Sequence, residues 1–220
     1  MVYDFHTHTF LSDGVLSPIE LIRRAVAQGY KAIAITDHVG LANQENVLKI
    51  LIEECRIASQ EWDILALPGV EITHVPKTLI REAASRARDL GAKIVTVHGE
   101  TIVEPVESGT NLAALNAPEV DILAHPGLLT ENEANIAALN GVHLELSSRR
   151  GHSLTNGHVA KAARLSGANL LVDSDAHEPH DLLSAQMAEN IAMGAGLSEE
   201  EITKTLRTNP IALINRLNIK

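Results

Sequence analysis

Seven short apolar runs recur along this chain, at residues 2–6, 32–36, 64–70, 93–97, 120–124, 142–146 and 169–172, with helical patterns between them. The run from Ala32 to Thr36 is continuous rather than alternating, the pattern of a strand buried on both faces. The first intervening helix is read at 18–28. Ser17-Pro18-Ile19-Glu20 has the form of a capping box with proline at the first helical position, and Ile19, Ile22, Ala25 and Val26 keep helical spacing up to Gly29. Val47, Leu51, Cys55 and Ala58 mark a second helix face, and further helices are expected at 79–90, 111–117, 131–139 and 156–166.

Strands separated by single helices run parallel, and a closed set of them is a (β/α) barrel. The expected fold is therefore α/β, a single-domain seven-stranded (β/α)7 TIM-like barrel over residues 1–220. It is smaller than the eight-unit form, which needs ~250 residues. An open doubly wound sheet is the alternative, but no glycine-rich dinucleotide turn follows the first run. In the tail, Ser198–Glu201 forms another capping box and Pro210 opens a helix with Ile211, Ile214 and Leu217. Residues 198–218 are expected to pack on the barrel exterior.

Composition narrows the chemistry. No run approaches the ~18 apolar residues of a membrane span, and the chain opens into a strand rather than a signal segment, so a cytoplasmic protein without a membrane partner is expected. Cys55 is the single cysteine, which excludes an internal disulfide and a thiolate metal cluster. A net charge of −10 and only five aromatics argue against long nucleic acid as a partner. Nothing in the sequence indicates an oligomeric state.

The eleven histidines are the compositional oddity, and six of them lie where the apolar runs end. His6 and His8, two apart, project from one face of a strand. Asp13 follows in a Ser-Asp-Gly turn, and His38, Glu71, His98, His125, Asp175 and His177 stand at the carboxyl ends of later runs. In a barrel those ends form one mouth, where active sites are built. Nine imidazole and carboxylate candidates exceed what one ion needs and suit two or three divalent metals, zinc, manganese or iron. Glu71 is the best bridge between two of them. Ser147-Ser148-Arg149-Arg150-Gly151-His152 follows the sixth run. Its arginines offer a planar fork for phosphate, with Arg149 favoured over Arg150, and His152 is a candidate acid. His74, just past Glu71, stands within reach of a substrate, and Asp37 and Asp173 either orient ligand imidazoles or rotate away from the metals entirely.

His6-Thr-His8, Ser12-Asp13-Gly14, Thr36-Asp37-His38, Gly69-Val70-Glu71, Val97-His98-Gly99, Ala124-His125-Pro126-Gly127 and Asp175-Ala176-His177 together resemble, in order, the motifs of the polymerase and histidinol phosphatase (PHP) family, over residues 4 to about 181. The resemblance implies a distorted seven-unit barrel with three metals. One would be held by His6, His8, Glu71 and Asp175, a second by Glu71, His98 and His125, and a third by Asp13, His38 and His177. Some relatives have histidine near the place of Asp13.

The expected function is a metal-dependent phosphoesterase acting on a small phosphomonoester, with histidinol phosphate suggested by the family alone. An amidohydrolase also opens with a histidine pair on its first strand, but commonly carries a metal-bridging lysine, whereas Lys93 starts its strand instead of ending it. A non-catalytic module using metals for stability is the third reading. Metal analysis paired with a phosphate-ester panel separates the three.

Overall fold

The structure, a computed structural model, describes residues 1–217. Seven parallel strands form its sheet: β1 (Val2–Asp4), β2 (Tyr30–Ile35), β4 (Leu65–Ile72), β5 (Ile94–His98), β6 (Ile122–Ala124), β7 (His143–Ser147) and β8 (Leu170–Asp173), hydrogen-bonded in that order. The two-residue β3 (His38–Val39) lies off this path and pairs with β4, setting His38 opposite Glu71. The helices are α1 (Pro18–Ala27), α2 (Gln44–Glu61), α3 (Ile80–Asp89), α4 (Thr110–Leu115), α5 (Glu131–Asn140), α6 (Asn156–Ser166), α7 (Ala185–Gly194), α8 (Glu199–Thr203) and α9 (Asn209–Arg216). No helix among the described residues is long and apolar enough to cross a membrane.

The sheet closes on itself with one irregular seam, which makes the expected barrel a distorted one. Between β1 and β8 the ladder is replaced by a single bridge, Thr7 to Ala176, and by backbone bonds from His8 N to Ala176 O (2.8 Å) and Asp175 N to His6 O (2.9 Å). Carboxylates supply the rest. Asp173 accepts from Phe5 N at 2.6 Å and Asp4 from Ser174 N at 3.0 Å. Buried backbone donors need partners, and here side chains provide what a regular strand pair would have given.

Two apolar clusters fill the molecule. The larger lies between the outer faces of the strands and the helices, with Cys55 in it. The smaller fills the lower barrel interior with Phe5, Ala32, Ala34, Leu67, Ile94, Ile122 and Leu171. Glu71 lies four residues beyond Leu67 on β4, and His98 four beyond Ile94 on β5. Since side chains alternate along a strand, these polar residues share the inward face with the apolar ones below them.

Local departures from the sequence reading have physical causes. Ser17 caps α1 by accepting from Glu20 N, but Glu20 pairs with Arg24 instead of completing a capping box. The run at 120–124 yields a strand only from Ile122, because Val120 N is taken up in a turn by Ala117 O. Helix α7 was not expected. It follows the Asp175-Ala176-His177 segment and is capped by Ser184. Within the tail expected to pack on the exterior over 198–218, α8 does so, with Glu201 paired to Arg164 of α6. In contrast, α9 lies across the barrel floor, where Leu213 joins the interior cluster. Asn209 reaches Leu170 O, and Arg216 binds Gly141 O and Asp121, all at the amino-terminal ends of strands or just before them. The short strands leave an apolar opening at that end, and α9 covers it. Residue 218 lies outside the described residues.

Candidate metal centre

Opposite this floor, the carboxyl ends of the strands form a cup. A cavity of about 400 Å³ opens there, and its lining includes Asp13, His38, His98, His125, Asp175 and His177 together with Arg149 and His152. Glu71, fully buried, is its hub. Its two oxygens lie 3.4 Å from His6 Nε2, 3.7 Å from His8 Nε2, 2.6 Å from His38 Nδ1, 3.1 Å from His98 Nδ1 and 3.4 Å from His125 Nε2. Asp175 is a second hub, 3.2 Å from His8 Nε2, 3.7 Å from His6 Nε2 and 3.8 Å from His125 Nε2. Nearer the rim, Asp13 meets His177 Nε2 at 3.1 Å and His38 Nε2 at 3.5 Å. All nine side chains thus converge, and they fall into groups able to hold an ion: His6, His8 and Asp175; His6, Glu71 and His125; His38, Glu71 and His98; His8, Asp13, His38 and His177.

The backbone is bent to bring them there. His74, His125 and Asp175 have positive φ, 51°, 27° and 52°, and all three line the cup. Non-glycine residues hold such conformations only where their surroundings enforce them, most often at functional sites. Glycine clears the way at Gly14, where a Cβ would fall 2.5 Å from His8 O, and at Gly127, where it would overlap Glu100 O.

Charge within the cup is poised for cations. His6 Nε2, both ring nitrogens of His8, His98 Nε2 and His125 Nδ1 are buried without hydrogen-bond partners, His98 Nε2 facing Glu104 at ion-pair distance alone. Burial drives His8 down to about 3, so its ring is neutral and able to ligate. Burial opposes charge on His38 and His98 too, but Glu71, with Asp13 or Glu104, outweighs it and lifts them to about 10 and about 9. Burial likewise opposes charge on Glu71, and His6, His38 and His98 overcome it, holding the carboxyl well below its usual range. Asp13 is lowered as well, His177 and His38 overcoming its burial.

Supporting contacts were only partly legible. His6 Nδ1 rests 2.6 Å from Glu145, a buried carboxylate inside the barrel, while its Nε2 faces the hubs. Glu145 shares the inward face of β7 with His143 and Ser147, so strand parity carried the signal. Of the two alternatives for Asp37 and Asp173, the second holds, and both turn away from the ligand imidazoles. Asp37 accepts from Thr9 N, Thr9 Oγ1 and Ser12 Oγ, holding the loop that carries Asp13, and Asp173 holds Phe5 N at the seam. His38 Nδ1 also meets Thr73 Oγ1 at 2.7 Å. Glu104, from an aperiodic loop, was missed altogether.

The two arginines separate. Arg149 Nη1 lies 2.7 Å from His177 Nδ1 and 3.2 Å from Asp175 O, on the wall of the cup. Arg150 lines only the neighbouring groove, a cavity of about 690 Å³ that Arg149 also lines. His152 is buried beside the cup. Its Nδ1 is 2.8 Å from Thr101 Oγ1, and its ring stacks on His125 with centroids 4.1 Å apart.

A family profile described as "PHP domain" matches residues 4–190. The chain belongs to the PHP family. Among its PHP relatives, an uncharacterized protein of Methanocaldococcus jannaschii is 47% identical, covering 99% of this chain and 100% of that one. A probable phosphatase of Shewanella halifaxensis is 29% identical over 99% of this chain and 92% of its own length. Among solved structures, histidinol phosphate phosphatase of Lactococcus lactis, complexed with zinc, L-histidinol and phosphate, is 16% identical with a TM-score of 0.62, covering 90% of this chain and 94% of that one. A chain of archaeal ribonuclease P with mature tRNA is 14% identical with a TM-score of 0.68, covering 97% and 89%. At these identities the two structures share the PHP fold with this chain.

Proposed function

We propose that this PHP protein is a metal-dependent phosphomonoesterase acting on a small phosphorylated substrate with two or three divalent ions, zinc, manganese or iron. The observation that carries the reading is Glu71, a fully buried carboxylate within 3.7 Å of ring nitrogens from five histidines. Buried charge is costly unless matched, and a set of unpartnered imidazoles around two acidic hubs suits cations better than hydrogen bonds. By the family resemblance His6, His8, Glu71 and Asp175 would hold one ion, Glu71, His98 and His125 a second, and Asp13, His38 and His177 a third, with His8 close enough to contribute to the last. Such ions, when bound, provide a nucleophilic water at neutral pH and offset the charge of a phosphate.

The chain's own residues supply the rest. Glu145 fixes His6 through Nδ1 and so aims Nε2 at the hubs. Arg149, on the cup wall, presents its planar fork to phosphate oxygens. Arg150, facing the adjoining groove, takes no part at the phosphate. Burial and the neighbouring His125 lower His152 to about 4, so it is neutral near pH 7. That neutral ring, held at Nδ1 by Thr101 and faced at Nε2 by Glu104, forms the cup wall beside His125.

Lys93 is exposed and precedes β5, at the end opposite His98, which weighs against the lysine-bridged centre of an amidohydrolase. The test is metal analysis of the purified protein with a panel of phosphomonoesters. Two or three equivalents of metal and phosphate release that a chelator abolishes are expected. Bound metal with no phosphate released from any ester, or amide hydrolysis in its place, would overturn the proposal.

A further inference from the structure

We propose that Glu104 is a positioning residue, reaching in from the loop after β5 to brace His98 and His152 at once. The inference rests on the reading of His98 as a metal ligand. Glu104 Oε2 lies 3.1 Å from His98 Nε2, and Oε1 lies 3.3 Å from His152 Nε2. Both rings are buried, with side-chain exposure of 4%, whereas Glu104 is 37% exposed.

The geometry repeats, from the rim, what Glu145 does from inside the barrel. His6 turns one nitrogen to the hubs and the other to Glu145; His98 turns Nδ1 to Glu71 and Nε2 to Glu104. With a cation at Nδ1, the ring's remaining proton is on Nε2, and a carboxylate facing it fixes the tautomer and strengthens Nδ1 as a donor.

The second contact makes Glu104 more than a support for one ligand. His152 is hydrogen-bonded at Nδ1 to Thr101 and faced at Nε2 by Glu104 at ion-pair distance, both from the same loop, and it stacks on His125. That loop is anchored on either side of Glu104. The Glu100 carboxylate accepts from Gly109 N and Asn111 N at 2.9 Å each, and Glu107 accepts from Lys77 N at 3.1 Å. Glu104 therefore sits on a pinned support, where one carboxylate faces a metal-binding imidazole and a second imidazole of the cup wall at once.

The experiment is a chelator challenge of zinc-loaded protein, reading the zinc retained over time in wild type, Glu104→Ala and Glu104→Gln. In Glu104→Ala one equivalent is expected to leave ~10–100-fold faster while the others keep the wild-type rate. Glu104→Gln, which still presents an acceptor oxygen, is expected to fall between. On a phosphate ester that wild type cleaves, Glu104→Ala is expected to lower kcat and leave KM unchanged. Loss of every equivalent at the wild-type rate in Glu104→Ala would overturn the proposal, and so would equal acceleration of all equivalents, which marks a general loosening. Zinc-loaded wild type that cleaves no ester would overturn the proposed function while leaving the zinc readout of Glu104 intact. Wild type that takes up no zinc would overturn both.

Discussion

At the scale of single residues, the cup is a problem of matching charge in a dry place. Glu71 faces ring nitrogens that ions at more than one position would share, so Glu71→Gln, nearly the same in shape, is expected to weaken metal binding by more than ~100-fold and to abolish turnover. Metal stoichiometry by elemental analysis checks it, and an unchanged count would exclude bridging. Arg149→Ala is expected to retain metal and raise KM for a phosphate ester ~10–100-fold, the size of one charge-assisted contact. Arg150→Ala, facing the neighbouring groove, should move KM little, and steady-state kinetics on the pair distinguishes them. The nine candidate ligands were legible because each ends an apolar run or sits in a turn beside one. Glu104 was not, since a loop residue that meets its partners only through the fold leaves no periodic trace. Glu145 lay between, visible by strand parity once a barrel was assumed.

At the scale of elements, the alternation of runs and helical faces was enough to give the parallel order of the strands. What it did not give was the irregular joint between β1 and β8, where Asp4 and Asp173 replace ladder bonds, or the place of α9, whose apolar stripe fits the floor as well as the outer wall. Leu213 is fully buried in the interior cluster, so Leu213→Ala is expected to cost ~2–5 kcal/mol, read from the midpoint of urea unfolding. A loss under about 0.5 kcal/mol, typical of a surface position, would place α9 elsewhere. Near this floor, His143 on β7 is buried with both ring nitrogens unpartnered. Burial first, then Arg216, lowers its pKa from 6.5 to about 4. The unfolded chain takes up that proton first as pH falls. Stability is therefore complete above about 6.5, declines on acidification, and has lost about 3 kcal/mol from this group below about 4. Denaturant unfolding of wild type and His143→Gln across that interval is expected to show a steeper decline in wild type; parallel curves would refute the assignment.

At the scale of the whole molecule, an acidic protein surrounds a cup that cations would make positive. A small phosphate ester can enter such a field, whereas a long polyanion meets repulsion over the remaining surface. Transfer RNA is accordingly expected not to bind at physiological salt, checked by gel shift, despite the fold shared with a ribonuclease P chain. Saturable binding there would redirect the search for a substrate toward RNA. Since the ligands come together only in the folded chain, zinc at a thousandfold excess over its dissociation constant should add ~4 kcal/mol of stability, seen as a rise in Tm that a chelator reverses. The span of those ligands has a temporal side as well. Asp175 and His177 approach His6 and His8 across the seam, so the pocket takes its donors from two segments some 170 residues apart in the polypeptide. While the ribosome is still working through the middle strands, the early imidazoles have no finished cage in which to discriminate one ion from another. Choice of metal is thus deferred until translation has passed His177 and the two segments have met.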